Sequence, residues 1–205
     1  MTELSQQRRK DWWMTLYAVQ SFNLSLPACK LLLKLGDQAS PYYPSLIISI
    51  HGYYGRPFKK QQGVSTSKRG IEDRIIPIEF SGLHKFLIDF RDKVLLHNDG
   101  DDFPALEEPI NLIRLAVRPR GNEFHSVAPF FHPIETYKIV PNLLEFLIEK
   151  FTLDHQRMEQ EFSSLFPDTP GQYVLNLKQG LPFVPWDGGK ETALFQRTAT
   201  KRRTL

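Results

Sequence analysis

The fold depends most on the stretch PIEFSGLHKFLIDFRDKVLLH, which spans residues 77–97. Its apolar side chains recur every three to four residues, so at about 100° per residue they share one helical face. Three residues that favour a helix end, Asn98, Asp99 and Gly100, follow. The stretch therefore predicts a long amphipathic helix. Its buried face carries Leu83, Phe86, Leu87, Phe90, Val94 and His97.

Four other stretches have helical spacing or residues that start and end helices. Pro27 is expected to open a short helix, because proline suits the first helical turn, and Gly36 is expected to end it. Pro141 has the same role at the start of the last helix. The predicted helices cover residues 8–22, 28–35, 42–54 and 141–166.

The hydrophobic period changes from helical to alternating near residue 113. Ile113, Leu115 and Val117 alternate with other residues and are followed by a turn sequence, which is typical of a β-hairpin at about residues 111–130. We therefore expect a mainly α fold, an antiparallel helical bundle with an inserted β-hairpin. The predicted organisation is a helical domain at 1–167, with an exposed loop at 59–73, and a partly ordered C-terminal extension at 168–205, with a strand at 172–177.

Charge and composition exclude several classes of protein. The formal net charge of +3 allows a nucleic-acid partner without requiring one. The single cysteine, Cys29, excludes an intramolecular disulfide framework and a zinc site of paired thiolates. The histidines lack metal-ligand spacing on one helix, so we expect no metal and no cofactor. With no secretion signal and no apolar run long enough for a bilayer, the sequence predicts a soluble, cytoplasmic protein that does not bind membranes.

Arg91, Asp92 and His97 have the chemistry to handle a phosphodiester. A guanidinium can hold the phosphate and stabilise its developing charge. An imidazole with a pKa near neutrality can move the proton of a ribose 2′-OH, and the Asp92 carboxylate can orient one of these groups. The alternative is structural: His97 caps the helix end, and Arg91 pairs with Asp89 or Glu79.

The spacing of the arginine and the histidine favours a dimer. Positions 91 and 97 do not lie on one line along an α-helix, so a single helix cannot bring these two side chains together. The pair would work best where two copies of the helix face each other. The stripe of Phe86, Phe90 and Val94 would supply the contact, and we therefore expect a homodimer.

Two segments together resemble one protein family. The pattern Leu83-His84-x-x-Leu87-x-x-x-Arg91-Asp92-Lys93-x-x-x-His97-x-Asp99 resembles the motif helix of HEPN-domain proteins. Upstream, Tyr53-Tyr54-Gly55-Arg56-Pro57-Phe58 is similar to a Tyr-Ala-Arg-Pro-Phe segment of small bacterial HEPN-like proteins. Gly55 stands where alanine is usual, and Leu96 stands where a small residue usually precedes the histidine. The likeness covers roughly residues 10–165.

The resemblance implies a helical bundle that dimerises through the motif helix and, in active members, a metal-independent endoribonuclease. It implies catalytic roles for Arg91, Asp92 and His97, and substrate-binding roles for Tyr54, Arg56 and Lys93. For Arg56 an alternative is equally open, namely a helix-ending arginine that pairs with an acid and holds the loop.

Three functions follow from these observations. The first is cleavage of RNA by attack of a ribose 2′-OH, in a toxin or phage-defence effector that would have a cognate antitoxin or operon partner. The alternative is a non-catalytic HEPN-like dimer that binds nucleotide, RNA or a protein partner, which the weak net charge favours. The third is a purely structural dimer in which the motif fixes a helix pair.

Overall fold

The computed structural model describes residues 5–59, 70–92, 113–118, 121–126, 133–177 and 182–186. The chain divides into two units. The larger unit is Met14–Gln156, and the smaller comprises Met1–Trp13 and Arg157–Leu205. Each unit has its own apolar cluster. The predicted division between residues 167 and 168 stays a prediction.

The described part of the chain is mainly helical, as the sequence predicted. Its helices are α1 (Gln6–Leu35), α2 (Tyr43–Gly55), α3 (Ser81–Asp89) and α4 (Val140–Glu161). Short 3₁₀ turns lie at Asp73–Ile75, Ile78–Phe80, Ile134–Tyr137 and Ser163–Leu165. Its strands are β1 (Ile113–Arg118), β2 (Gly121–Ser126), β3 (Tyr173–Leu175) and β4 (Phe183–Pro185).

Pro27 lies inside α1, so the predicted break between two helices there is wrong. Phe22, Cys29 and Leu32 are fully buried, which gives α1 one continuous buried stripe past the proline. Pro27 is exposed, and so is Asn23, whose carbonyl loses its helical donor to the proline ring. Water can bond that carbonyl. Packing of the buried stripe therefore outweighs the lost hydrogen bond.

Helices α2 and α4 lie close to the predicted positions, whereas the motif helix changes its geometry before it reaches residue 97. The 3₁₀ turn Ile78–Phe80 leads into α3, and beyond Asp89 the backbone at residues 90–92 has the wider π-helical hydrogen bonding. A π turn shifts side chains away from the α-helical phase, so the helical wheel used for position 91 does not hold. Lys93 and His97 lie outside the described residues.

Both pairs of strands are antiparallel. In the predicted hairpin, Arg118 pairs with Gly121, so the connection is residues 119–120 and β2 already begins at the glycine expected in the turn. Strand β3 lies within the predicted strand 172–177 and pairs with β4 through Val174 and Val184. A connection of two residues is the commonest length in β-hairpins, so the first pair is of the usual kind.

The core of the larger unit uses the apolar face of α3. Leu87 and Phe90 are fully buried, and Phe86 packs against the same cluster. Phe90 therefore contacts its own chain and offers no surface for a dimer, whereas Val94, the third residue of the predicted dimer stripe, lies outside the described residues. Cys29 is also buried here, with its Sγ atom 3.6 Å from the Tyr137 carbonyl oxygen, and burial raises the pKa of its thiol to about 12.

The smaller unit is built around Trp12. Its indole lies 5.7 Å from the Phe162 ring and 5.8 Å, edge to face, from the Phe183 ring. Arg8 pairs with Glu161 at the end of α4. Within the ranges that the structure describes, no helix has both the length and the apolar character needed to cross a membrane.

Candidate functional site

Of the predicted catalytic residues, the structure describes Arg91 and Asp92, which lie in the π-helical turn that follows α3. Wider turns of this kind occur often at functional sites because they displace side chains from the regular helical rows. The placement of this pair therefore differs from that expected of a regular α-helix.

The Arg91 side chain lies directly over Gly55, the last residue of α2. A Cβ atom at position 55 would come within 2.4 Å of the Arg91 Cδ atom and 3.0 Å of its Nε atom. Such contacts are too short, so any larger residue at 55 would displace the arginine. Gly55, where the resembling segment has alanine, is what lets Arg91 pack against α2.

Arg91 and Lys59 both bind the carboxylate of Asp92, and we call these three residues the ion cluster. The Arg91 Nη1 atom donates to the Asp92 Oδ1 atom at 2.8 Å, and the Lys59 ammonium pairs with the Oδ2 atom. The partner of Arg91 in this cluster is therefore its neighbour, rather than Asp89 or Glu79 as the structural alternative proposed. The cluster carries two positive charges and one negative charge.

Sequence reasoning missed Lys59, which lies in the polar stretch predicted as a loop. Its position is fixed by the residues beside it. The Ile71 N–H donates to the Pro57 carbonyl at 2.9 Å, which joins the two ends of that stretch. At Gly70 a Cβ atom would come within 2.2 Å of the Phe58 carbonyl oxygen, so only glycine allows this approach. The close approach at Gly70 could not be recognised from the sequence.

Tyr54, predicted to bind substrate, has no exposed surface. Its hydroxyl lies 2.7 Å from the Nδ1 atom of His84, and burial raises the pKa of the phenol above its usual range. The structure therefore buries Tyr54, which precedes Gly55 in α2, and leaves it no surface for a substrate. Its contact with His84 joins α2 to α3.

His84 continues this chain of polar contacts to Asp73, and we call the three residues Tyr54, His84 and Asp73 the His84 relay. The His84 Nε2 atom is 3.2 Å from Asp73 Oδ1. Because a carboxylate only accepts, Nε2 donates and Nδ1 accepts from the Tyr54 hydroxyl. Burial lowers the pKa of His84 by disfavouring its charged form, although Asp73 partly opposes this shift. The imidazole is therefore neutral near pH 7.

Arg56, the second predicted substrate-binding residue, is exposed and lies between two tyrosines. Its Nε atom donates to the Tyr17 hydroxyl at 3.0 Å. Its guanidinium carbon is 5.2 Å from the Tyr17 ring centre and 5.6 Å from that of Tyr53, within the range of cation–π contacts. Through these contacts Arg56 joins the end of α2 to Tyr17 of α1. The structural alternative for Arg56 expected an acidic partner, and the partner seen here is a tyrosine.

An open depression of about 1040 Å³ lies elsewhere in the larger unit, between residues 33–44 and residues 134–138. None of its lining residues is a predicted site residue. Its charged groups, Asp37, Glu135 and Lys138, are of both signs. The depression therefore gives no preference for an anionic ligand.

Among the residues that the structure describes, no group of three or more His, Cys, Asp or Glu side chains could hold a metal ion. Compared with protein families, curated proteins and solved structures, the chain has no match.

Proposed function

We propose that this chain is a HEPN-like helical bundle and a metal-independent endoribonuclease. The observation that supports the proposal is the ion cluster, in which the motif arginine packs over Gly55 and a second cation, Lys59, lies on the same carboxylate. The Arg91 side chain is 17% exposed, so it is held by packing and still reaches solvent. A guanidinium held in this way suits a phosphate ligand.

In the proposed reaction a ribose 2′-oxygen attacks the adjacent phosphorus as the bond to the 5′-oxygen breaks. Arg91 binds the phosphate oxygens and stabilises the charge that develops on them. His97 moves one of the two protons, either from the 2′-OH or to the leaving 5′-oxygen. The products are a 2′,3′-cyclic phosphate and a free 5′-OH.

The proposal includes a homodimer, in which a second copy of the motif supplies the second proton-transfer group. Because Phe90 is fully buried in its own chain, other residues must form the contact between subunits. As a toxin or phage-defence effector, such an enzyme would be restrained by a cognate antitoxin or operon partner.

The test is cleavage of total RNA by the purified protein. We expect wild-type protein to cleave with EDTA present, and Arg91→Ala or His97→Ala to lower the rate by about two to four powers of ten. The matched control is Arg74→Ala, which removes an exposed arginine that pairs with Glu72 and should cleave as wild type does. Gly55→Ala should lower cleavage as well, because the added methyl group displaces Arg91.

Several results would count against the proposal. Cleavage retained by both Arg91→Ala and His97→Ala would place the activity elsewhere or in a contaminant. Cleavage that EDTA abolishes would contradict the metal-independent reaction. Cleavage of an all-2′-deoxy substrate would contradict the 2′-OH attack.

The second candidate is a non-catalytic module that binds nucleotide, RNA or a protein partner. One observation favours it: the Asp92 carboxylate already binds Arg91 and Lys59. Its single negative charge offsets part of the positive charge that a reacting phosphate would need. Binding of RNA by wild-type protein without cleavage, and weaker binding by Arg91→Ala, would support this candidate.

A further inference from the structure

We propose that Lys59 is a phosphate ligand together with Arg91, and that the Asp92 carboxylate occupies the place of the phosphate in the free protein. The ligand is a phosphodiester of single-stranded RNA. This inference rests on the proposed function, because it concerns the same site, but its test measures binding rather than cleavage.

The contacts of Asp92 are those of a bound oxyanion. One carboxylate oxygen accepts from Arg91 at 2.8 Å, and the other pairs with Lys59. Two oxygens of one anion thus meet an arginine from the motif helix and a lysine from the segment after α2. A phosphodiester also presents two charged, non-bridging oxygens, and arginine and lysine are its usual protein ligands.

Lys59 is positioned by the packing of the two residues that precede it. Its neighbour Phe58 lies with its ring 4.7 Å from the His84 ring and 5.3 Å from the Tyr54 ring. On the other side of Phe58, Pro57 accepts the hydrogen bond from Ile71. Two residues of the His84 relay therefore hold Phe58, the residue next to the lysine. The position of Lys59 beside Asp92 is thus supported by packing in the core.

The charges favour an exchange of the carboxylate for a phosphate. The two cations exceed the one carboxylate by one charge, so the site stays positive in the free protein. The displaced Asp92 carboxylate stays attached to the chain, so one bound phosphodiester brings the total charge of the site from +1 to zero and does not make it negative. The side chains of Lys59 and Asp92 are 37% and 30% exposed, and an ion pair this open is weak enough for a ligand to replace.

The test measures affinity for an oligodeoxynucleotide of about twelve nucleotides, a length within the site sizes of single-strand binders, which this reaction cannot cleave. We expect Lys59→Met to weaken binding about tenfold and to reduce the slope of log affinity against log salt by about 0.7. We expect Asp92→Asn to strengthen binding about tenfold, because the amide keeps the shape of the carboxylate and loses its competing charge.

Each variant has a control of the same charge change in the larger unit. Lys34→Met removes an exposed lysine from the last turn of α1, and Asp154→Asn removes a carboxylate that pairs with Lys150 at 3.5 Å. Both controls should bind the oligonucleotide within about twofold of wild type, because they lie on α1 and α4 and not on the segments that carry the ion cluster. Thermal unfolding of every variant establishes that the fold is intact.

A second arm uses inorganic phosphate, which competes with the oligonucleotide if a single phosphate is recognised alone. If phosphate displaces the oligonucleotide only at concentrations well above the oligonucleotide's own dissociation constant, the nucleic acid is the ligand. The inference is overturned if Lys59→Met binds like Lys34→Met, if Asp92→Asn weakens binding, or if wild-type protein binds neither probe.

These outcomes are separate from those of the cleavage test. If wild-type protein cleaves no RNA but the variants change binding as expected, the proposed catalysis fails and the phosphate site stands. If wild-type protein cleaves RNA while Lys59→Met and Asp92→Asn bind like wild type, the catalysis stands and the role of Lys59 fails.

Discussion

Two buried histidines join α2 to α3, and their surroundings differ in one respect. His51, on α2, has its Nδ1 atom 3.1 Å from the Leu87 carbonyl oxygen of α3 and its Nε2 atom 2.9 Å from the Tyr137 hydroxyl. His84, on α3, bonds a tyrosine of α2 and a carboxylate. Leu87 and Tyr137, the two partners of His51 named here, are fully buried, whereas Asp73, the carboxylate partner of His84, has a side chain that is 77% exposed.

The two rings also carry their protons on opposite nitrogens. A backbone carbonyl only accepts, so His51 donates through Nδ1 and accepts from Tyr137 through Nε2. His84 donates through Nε2 and accepts through Nδ1. Similar histidine–tyrosine pairs therefore have different roles: the His51 pair lies within the core, and the His84 pair connects the core to a solvent-exposed charge.

The largest expected effect on stability comes from the loss of each imidazole. His51→Leu leaves the Leu87 carbonyl and the Tyr137 hydroxyl without this partner in the core, and we expect it to lower the free energy of unfolding by about 3 kcal/mol. His84→Leu should lower it by about half as much, because water can reach Asp73. Urea denaturation of both variants measures the difference. Equal losses of unfolding free energy in the two variants would show that the exposure of Asp73 makes no difference to stability.

The second prediction uses pH. Burial holds the pKa of His84 below its ordinary value of 6.5, so below pH 6.5 the unfolded chain binds a proton there more readily than the folded one does. The free energy of unfolding should therefore fall as the pH decreases through 6.5, and level off only below the folded pKa. His84→Gln should remove this part of the pH dependence.

The control for the pH experiment is His155→Gln, which alters a half-buried histidine on α4 and should leave the His84 contribution in place. NMR titration of the His84 ring measures its pKa directly. A midpoint at or above 6.5 would contradict the prediction, because the cost of burying the charged imidazole would then be absent or fully compensated.

The smallest effect is expected at the exposed end of the His84 relay. Asp73→Asn should lower the free energy of unfolding by about 0.5 kcal/mol or less, since an exposed partner contributes little. The same change should lower the pKa of His84 further, because the nearby negative charge raises it. NMR titration tests the second effect. An unchanged pKa would mean that Asp73 and His84 do not interact in solution.

Local patterns predicted most of the described elements. Helices α2 and α4 and the first hairpin follow from periodicity and turn residues, which act over short distances along the chain. Pro27 was misinterpreted because its local effect is outweighed by the burial of residues on the opposite side of α1. Local preference sets where a helix is favoured, and packing decides whether it continues.

The site was predictable only in part. Arg91 and Asp92 were recognised from their motif, but Lys59 and Asp73 belong to segments that are distant in sequence from their partners. Such contacts depend on backbone approaches like that at Gly70, which composition and periodicity do not encode. Tyr54 was recognised as important, but its burial could not be told from the motif.

The chain's only cysteine has a practical consequence for spectroscopy. Because Cys29 is buried and its thiol has a pKa raised to about 12, its reactive thiolate is scarce at neutral pH. A cysteine placed at an exposed position can therefore take a fluorophore or a spin label while the native thiol stays unmodified. The wild-type sequence is thus already a suitable background for site-specific labelling, and the buried thiol need not be replaced at the expense of the core.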